Sequence, residues 1–291
     1  MSRLDRSDAP RFLAGVAMGV GAVLFLLLGG IPLFIGVTGL VLQEMREFYS
    51  LLAREGLKTV KVVGYPFAVL ILIAGDAGWG REMPWTLLVA VFILSAFGIQ
   101  IAQSFAGRKP YRLSELAVTF FGAFYVAGLM SFVFLYKGLY AGVQGLLPFD
   151  LLILITLVGA FGYDTGAYFS GKLWGAALMN PVLSPKKTWE GVAGGVFGSC
   201  AGMTVLWAFG LRSLGPPLWA WLVVGLALGL AAQLGDLSES ALKREAQAKD
   251  SATWIPGHGG ALDRLASYMF VLPVGYYLLR FWILAPHGGA H

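Results

Sequence analysis

Between residues 235 and 264 the chain carries Asp236, Glu239, Lys243, Arg244, Glu245, Lys249, Asp250, His258, Asp263 and Arg264. Carboxylates set among lysines and arginines suit a nucleoside triphosphate: one or two aspartates with phosphate oxygens hold Mg²⁺, and the cations take up the remaining charge. Asp236 and Asp263 are the metal candidates, and ion pairing with Lys243 or Arg264 at a membrane interface is the other role open to them. Between Leu237 and Lys249 the composition predicts a short helix capped by Asp236 or Ser238, with Ser240 and Arg244, and Glu239 and Lys243, four apart. In WIPGHGGALDR, Pro256, Gly257, Gly259 and Gly260 surround His258 and deliver Asp263, a backbone suited to close approach by a ligand. His258 has two open roles, a proton donor to a leaving group or a hydrogen bond that orders the loop.

Two further clusters lie upstream. Asp164 sits in an apolar stretch about 12 Å along a helix from Lys172, deep enough that a charge there implies function. Tyr168 follows four residues on, and Gly162 and Gly166 admit either a ligand or a neighbouring helix. In LSPKKTWEG, Ser184, Pro185 and Thr188 read as a turn and helix start, which puts Lys186 and Lys187 before a helix amino terminus where phosphate binds well. Glu44 and Glu47 are read as interfacial salt-bridge partners of Arg46 and Arg54.

What positions these groups is a membrane domain. Of 291 residues, 57% are hydrophobic and 13% charged, more apolar surface than a soluble domain of this length can hide. Apolar stretches predict nine transmembrane helices, at about 12–29, 31–52, 62–78, 84–104, 113–136, 147–171, 188–211, 217–234 and 265–285. With nine spans, 17 of the 21 basic residues fall on the side of the amino terminus, and only Arg81, Lys137, Arg212 and Arg280 on the other. That segregation predicts a cytoplasmic amino terminus and cytoplasmic polar clusters. Arg3, Arg6 and Arg11 precede a retained first span rather than a cleaved signal, and the single Cys200 excludes an internal disulfide. The expectation is therefore an all-α polytopic integral membrane protein, one membrane domain over 1–291. Within it, 1–136 form scaffold spans, and the catalytic spans and loops lie in 147–285.

The motif residues resemble those of the phosphatidate cytidylyltransferase family, the CDP-diacylglycerol synthases. Ser240, Lys243, Arg244, Lys249, Asp250, Pro256, His258, Gly259, Gly260, Asp263 and Arg264 fit its signature in register. Ala261 is smaller than the usual apolar residue, and Ala266 stands where the pattern has a second Asp. The resemblance covers about 159–267, and EMREFY extends it weakly toward the amino terminus. It implies Mg²⁺-dependent attack of the phosphatidate phosphate on the α-phosphorus of CTP, release of pyrophosphate, a homodimer, and a second, monovalent cation such as K⁺. On this reading Asp236 and Asp263 serve the metal. Lys186, Lys187, Lys243, Arg244 and Arg264 meet phosphate charge, and Asp164 walls the site. Lys249, Asp250 and His258 join the catalytic set as motif positions, while Tyr168, Ser184, Thr188, Ser240, Gly259 and Gly260 join the substrate contacts. The expected location is a bacterial inner membrane with the site facing the cytoplasm, in contact with membrane lipid and with no nucleic acid. A different lipid phosphate as acceptor is the nearest alternative. A multi-span transporter is the other, although midplane polar residues and internal repeats are not evident.

Overall fold

The computed structural model describes residues 21, 23–77, 85–142, 149–252 and 259–284. They form an all-α membrane-protein fold with one small hairpin. The chain divides into two compact units: residues up to Ser131 with Glu245–Arg264, and Phe132–Arg244 with the residues from Leu265 on.

The first unit contains α1 (Gly30–Arg54), α2 (Lys61–Asp76), α3 (Trp85–Phe105), α4 (Leu113–Ala123) and a π-helical turn over Phe124–Gly128. Leu33, Val37, Val41 and Met45 recur every fourth residue on α1 and are buried, so one stripe of the helix faces protein. Glu44 and Glu47 lie on the buried side as well, 0% and 2% exposed. Thr119 joins three elements: its hydroxyl accepts from the Val60 amide at 2.8 Å, and its carbonyl accepts from the Tyr49 hydroxyl at 3.1 Å. Phe67, Phe92, Phe120 and Phe124 pack as a ring cluster, with Phe120 and Phe124 centroids 4.4 Å apart.

The second unit holds α5 (Phe132–Gly142), α6 (Phe149–Trp174), the strands β1 (Leu178–Asn180) and β2 (Ser184–Thr188), α7 (Trp189–Phe209), a 3₁₀ turn (Leu211–Leu214) and α8 (Leu218–Glu245). From Leu265 it continues along α9 (Leu262–Leu278) into a π turn at Leu279–Ile283. Helices α6 and α7 pack backbone to backbone because glycines four apart face each other. A Cβ on Gly162 would lie 2.6 Å from the Gly198 carbonyl oxygen, and one on Gly166 would strike that of Gly194. Of the two roles open to Gly162 and Gly166, helix packing is the one realised.

Two local expectations are corrected. Ser184 and Pro185 do not form a turn; they lie on β2, paired antiparallel with β1 as Asn180↔Ser184 and Leu178↔Thr188. The reversal falls earlier, where Asn180 Oδ1 accepts from the amides of Val182 and Leu183 at 3.2 and 3.1 Å, the Asx-type turn that competes with a helix start. The proline is tolerated because a two-stranded hairpin has only edges. Nor does a separate helix begin at Asp236 or Ser238. Span eight runs on without a break as the 28-residue α8, so neither residue is a cap. The helix stops where Gln247 takes a left-handed φ of 49°.

Among the described residues, Trp85–Phe105, Leu152–Trp174, Trp189–Phe209 and Leu218–Glu245 are long and apolar enough to cross a membrane. Leu113–Gly128 and Phe132–Leu139, meeting at a 40° bend, make a fifth if taken as one span. Most of the expected first span lies outside the described residues. The stretches 31–52, 62–78 and 265–285 are largely helical but do not meet the same test of length and apolarity.

Candidate functional site

In the second unit the site grows from Asp236, on the polar end of α8. Lys187 Nζ donates to its Oδ2 at 2.9 Å, and the Ser267 hydroxyl of α9 donates to Oδ1 at 2.6 Å. Gly235 makes the second contact possible: a Cβ there would lie 2.5 Å from the Ala266 carbonyl oxygen and 2.8 Å from Ser267 Cα. The ion pair is partly exposed, 27% for the lysine side chain and 34% for the aspartate. Its net contribution to stability is therefore small, and its effect is to hold a cation against the carboxylate.

One turn earlier, buried Gln233 accepts from the Tyr163 hydroxyl and donates to Met179 Sδ at 3.3 Å, tying α6 and β1 to α8. Arg244 Nε donates to the Leu183 carbonyl at 3.1 Å, which fastens the end of α8 to the hairpin reversal. Lys243 pairs with Glu239 one turn away. The hairpin thus has a fixed position against α8, and its pleat separates the two lysines. Lys187 turns to Asp236, whereas Lys186 is exposed. Thr188 is the cap of α7, its Oγ1 accepting from the Gly191 amide at 3.2 Å. Glu190 accepts from the amides of Ala176 and Ala177, closing the connection from α6 to β1. Asp164 is half-buried in α6; Tyr168 is exposed, with Lys172 Nζ 5.6 Å from its ring centroid. Ser184 and Ser240 are half-buried.

In the first unit the candidate residues gather around Asp263. Asp263 lies in the first turn of α9, and its Oδ2 accepts from the Gly260 amide at 2.8 Å and the Ser251 amide at 2.9 Å, with the Ser251 hydroxyl oxygen 3.0 Å away. Gly259, at φ 79°, supplies the left-handed residue this reversal requires. The same loop is gripped by Glu47 of α1. Its Oε1 accepts from the Ala261 amide and Gln43 Nε2, and its Oε2 from the Leu262 amide, all at 2.9 Å, and from the Ser251 hydroxyl at 2.7 Å. The expected interfacial placement of Glu44 and Glu47 is thereby corrected: both side chains are buried, and Glu47 holds the backbone of Ala261 and Leu262. Lys249, Asp250 and Arg264 are exposed on the surface of this segment. His258, with Pro256 and Gly257, lies outside the described residues.

Among the described residues no three His, Cys, Asp or Glu side chains form a ready-made metal cage. Mg²⁺ takes one or two carboxylates and completes its shell with water and phosphate oxygens. Asp236 fits such a role, since an ionised carboxylate has about four acceptor positions and two donors engage it here.

Several residues around these two aspartates are not assigned to them from sequence. Glu47 is the clearest: the nearby Arg46 and Arg54 point to a surface role, whereas its partners Ser251, Ala261 and Leu262 lie more than 200 residues away. Ser251, Ser267 and Gln233 carried no signal, being single polar residues whose partners lie in distant elements.

Residues 9–282 match the model of the family described as "Cytidylyltransferase family". Among curated relatives, the phosphatidate cytidylyltransferase of Staphylococcus aureus strain COL is 35% identical over 253 residues, covering 86% of this chain and 90% of its own. Those of Staphylococcus saprophyticus strain ATCC 15305 and Staphylococcus epidermidis strain RP62A are each 32% identical over 251 residues, with the same coverage.

Proposed function

We propose that this chain, which belongs to the cytidylyltransferase family, transfers the cytidylyl group of CTP to phosphatidate and so makes CDP-diacylglycerol and pyrophosphate. The observation that carries the reading is Asp236: a partly exposed carboxylate at the polar end of an apolar helix, held against Lys187 and Ser267. The acceptor follows from the relatives, named phosphatidate cytidylyltransferase over most of both chains.

A phosphatidate oxygen forms a bond to the α-phosphorus of CTP while the bond from that phosphorus to the bridging oxygen of the β-phosphate breaks, and the electron pair leaves with pyrophosphate. The attacking monoester is already anionic near neutral pH, so no strong base is needed, and the protein's tasks are positioning and charge neutralisation. Asp236 and Asp263 would hold Mg²⁺, which when bound neutralises phosphate charge and polarises the phosphoryl oxygens. Lys187, already drawn to the carboxylate, is placed to meet a phosphate that approaches Asp236. Lys243, Arg244 and Arg264 add positive charge, with Lys243 and Arg244 anchored through Glu239 and the Leu183 carbonyl. Asp164 remains assigned to the wall of the site, and Tyr168, Ser184, Ser240, Gly259 and Gly260 to substrate contacts. Thr188, the cap of α7, is assigned with them to substrate contacts.

The reading extends to nine spans in a bacterial inner membrane, a cytoplasm-facing site, a homodimer and a monovalent cation such as K⁺. Its test is purified protein with CTP and phosphatidate in mixed micelles, followed by detection of CDP-diacylglycerol. Product from phosphatidate is expected, together with a loss of about 100-fold or more in Asp236→Asn. Product only from another lipid phosphate would replace the acceptor, and a near-native rate in Asp236→Asn with unchanged Mg²⁺ dependence would remove that residue from the metal.

A further inference from the structure

Glu47 belongs to α1, far in sequence from the motif, yet it is among the most heavily hydrogen-bonded side chains of the described structure. Its two oxygens accept from the amides of Ala261 and Leu262, the Ser251 hydroxyl and Gln43 Nε2. Ser251 is shared: the hydroxyl that reaches Glu47 at 2.7 Å also stands 3.0 Å from Asp263 Oδ2, and its amide reaches the same Asp263 oxygen at 2.9 Å. Gly260 marks how closely the parts fit, since a Cβ there would strike both Glu47 Oε2 and Ser251 Oγ. Glu47 is 2% exposed and Ser251 2% exposed, so water cannot replace either partner cheaply.

We propose that Glu47 is a positioning residue for the metal-binding carboxylate: through Ser251 and the amides of 261 and 262 it fixes the loop that orients Asp263, and so sets metal affinity without touching metal or substrate. The inference rests on the assignment of Asp263 to the metal given above. Its chemistry is that of an outer-shell acceptor. A carboxylate can take all four donors at once, whereas a glutamine at 47 would turn one of its two acceptor atoms into a donor facing the donors already there.

The experiment uses the purified enzyme and two readouts that need no turnover: Mn²⁺ binding followed by electron paramagnetic resonance, and hydrogen exchange at the amides of residues 251 and 260–262 without metal. Glu47→Gln is expected to weaken Mn²⁺ binding by about ten- to a hundredfold and to speed exchange at those amides, with a parallel rise in the Mg²⁺ concentration that half-saturates activity. Ser251→Ala should shift Mn²⁺ affinity in the same direction and Ser251→Thr, which keeps the hydroxyl, should restore most of it. If Glu47→Gln does not accumulate as folded protein, the Ser251 pair decides. Asp263→Asn is the control that separates the two readings. If it weakens Mn²⁺ binding while Glu47→Gln and Ser251→Ala do not, the positioning role is overturned and the metal assignment stands. If Asp263→Asn itself leaves Mn²⁺ binding unchanged, both fall.

Discussion

Lys186 and Lys187 are adjacent, identical in chemistry and unequal in place. Lys187 is held at 2.9 Å from Asp236, and Lys186 lies exposed on the same strand. Lys187→Ala removes the cation that faces the carboxylate, and we expect it to raise KM for CTP or phosphatidate, or to lower kcat, by about tenfold or more. Lys186→Ala should stay within about threefold, the range of a solvated surface charge. Steady-state kinetics on both variants check this, and equal effects would show that the pleat does not separate their roles. The sequence presents these lysines as a pair because both precede the helix start at Thr188, and a turn at Ser184 and Pro185 would place them side by side. A strand was not legible there: three residues pair with five, and a proline stands in the longer strand.

Among the elements, the α6–α7 pair shows how small residues act where no hydrophobic force separates helix from lipid. Gly162 and Gly166 meet Gly198 and Gly194, and the two backbones touch. Gly162→Ala is expected to cost about 1–3 kcal/mol, because its Cβ would meet a backbone carbonyl that cannot turn aside. Gly98→Ala on α3 has open space and should be neutral or slightly stabilising. Thermal unfolding in detergent compares the two, and an equal loss in both would refute packing as the cause. These glycines were visible in the sequence as permissive positions, and so was their spacing of four. Their partners were not, because hydropathy marks a span without indicating its neighbours. The same limit hid the grip of Glu47 on the loop: residues 47 and 261 are far apart in the chain, and only the folded unit joins them.

At the scale of the molecule, length and apolar content were the most legible features: the stretches 84–104, 147–171, 188–211 and 217–234 overlap the helices able to cross a membrane, although the last of these runs on to Glu245. Sidedness rests on the distribution of lysine and arginine. Glu245 is exposed just past the last basic pair of α8, which makes it a good reporter. With Cys200 replaced by serine, Glu245→Cys should react with a membrane-impermeant maleimide only from the cytoplasmic face, and labelling only from the opposite face would invert the topology.

The unbroken course of α8 also predicts that bilayer thickness bears on the position of Asp236. Asp236 stands about 27 Å along the helix axis from Leu218, close to the roughly 30 Å of a typical hydrocarbon layer. With no hinge between them, a thicker layer draws the carboxylate and its lysine toward the acyl chains, and a thinner one lifts them into the headgroups. Acyl length would then act on this enzyme through the slab of lipid around it. Reconstitution in phosphatidylcholines of increasing chain length, with one fixed phosphatidate as substrate, should give a rate that peaks at intermediate thickness and falls on the long-chain side. A profile that is flat across the series would mean that tilt of α8 absorbs the mismatch before Asp236 feels it.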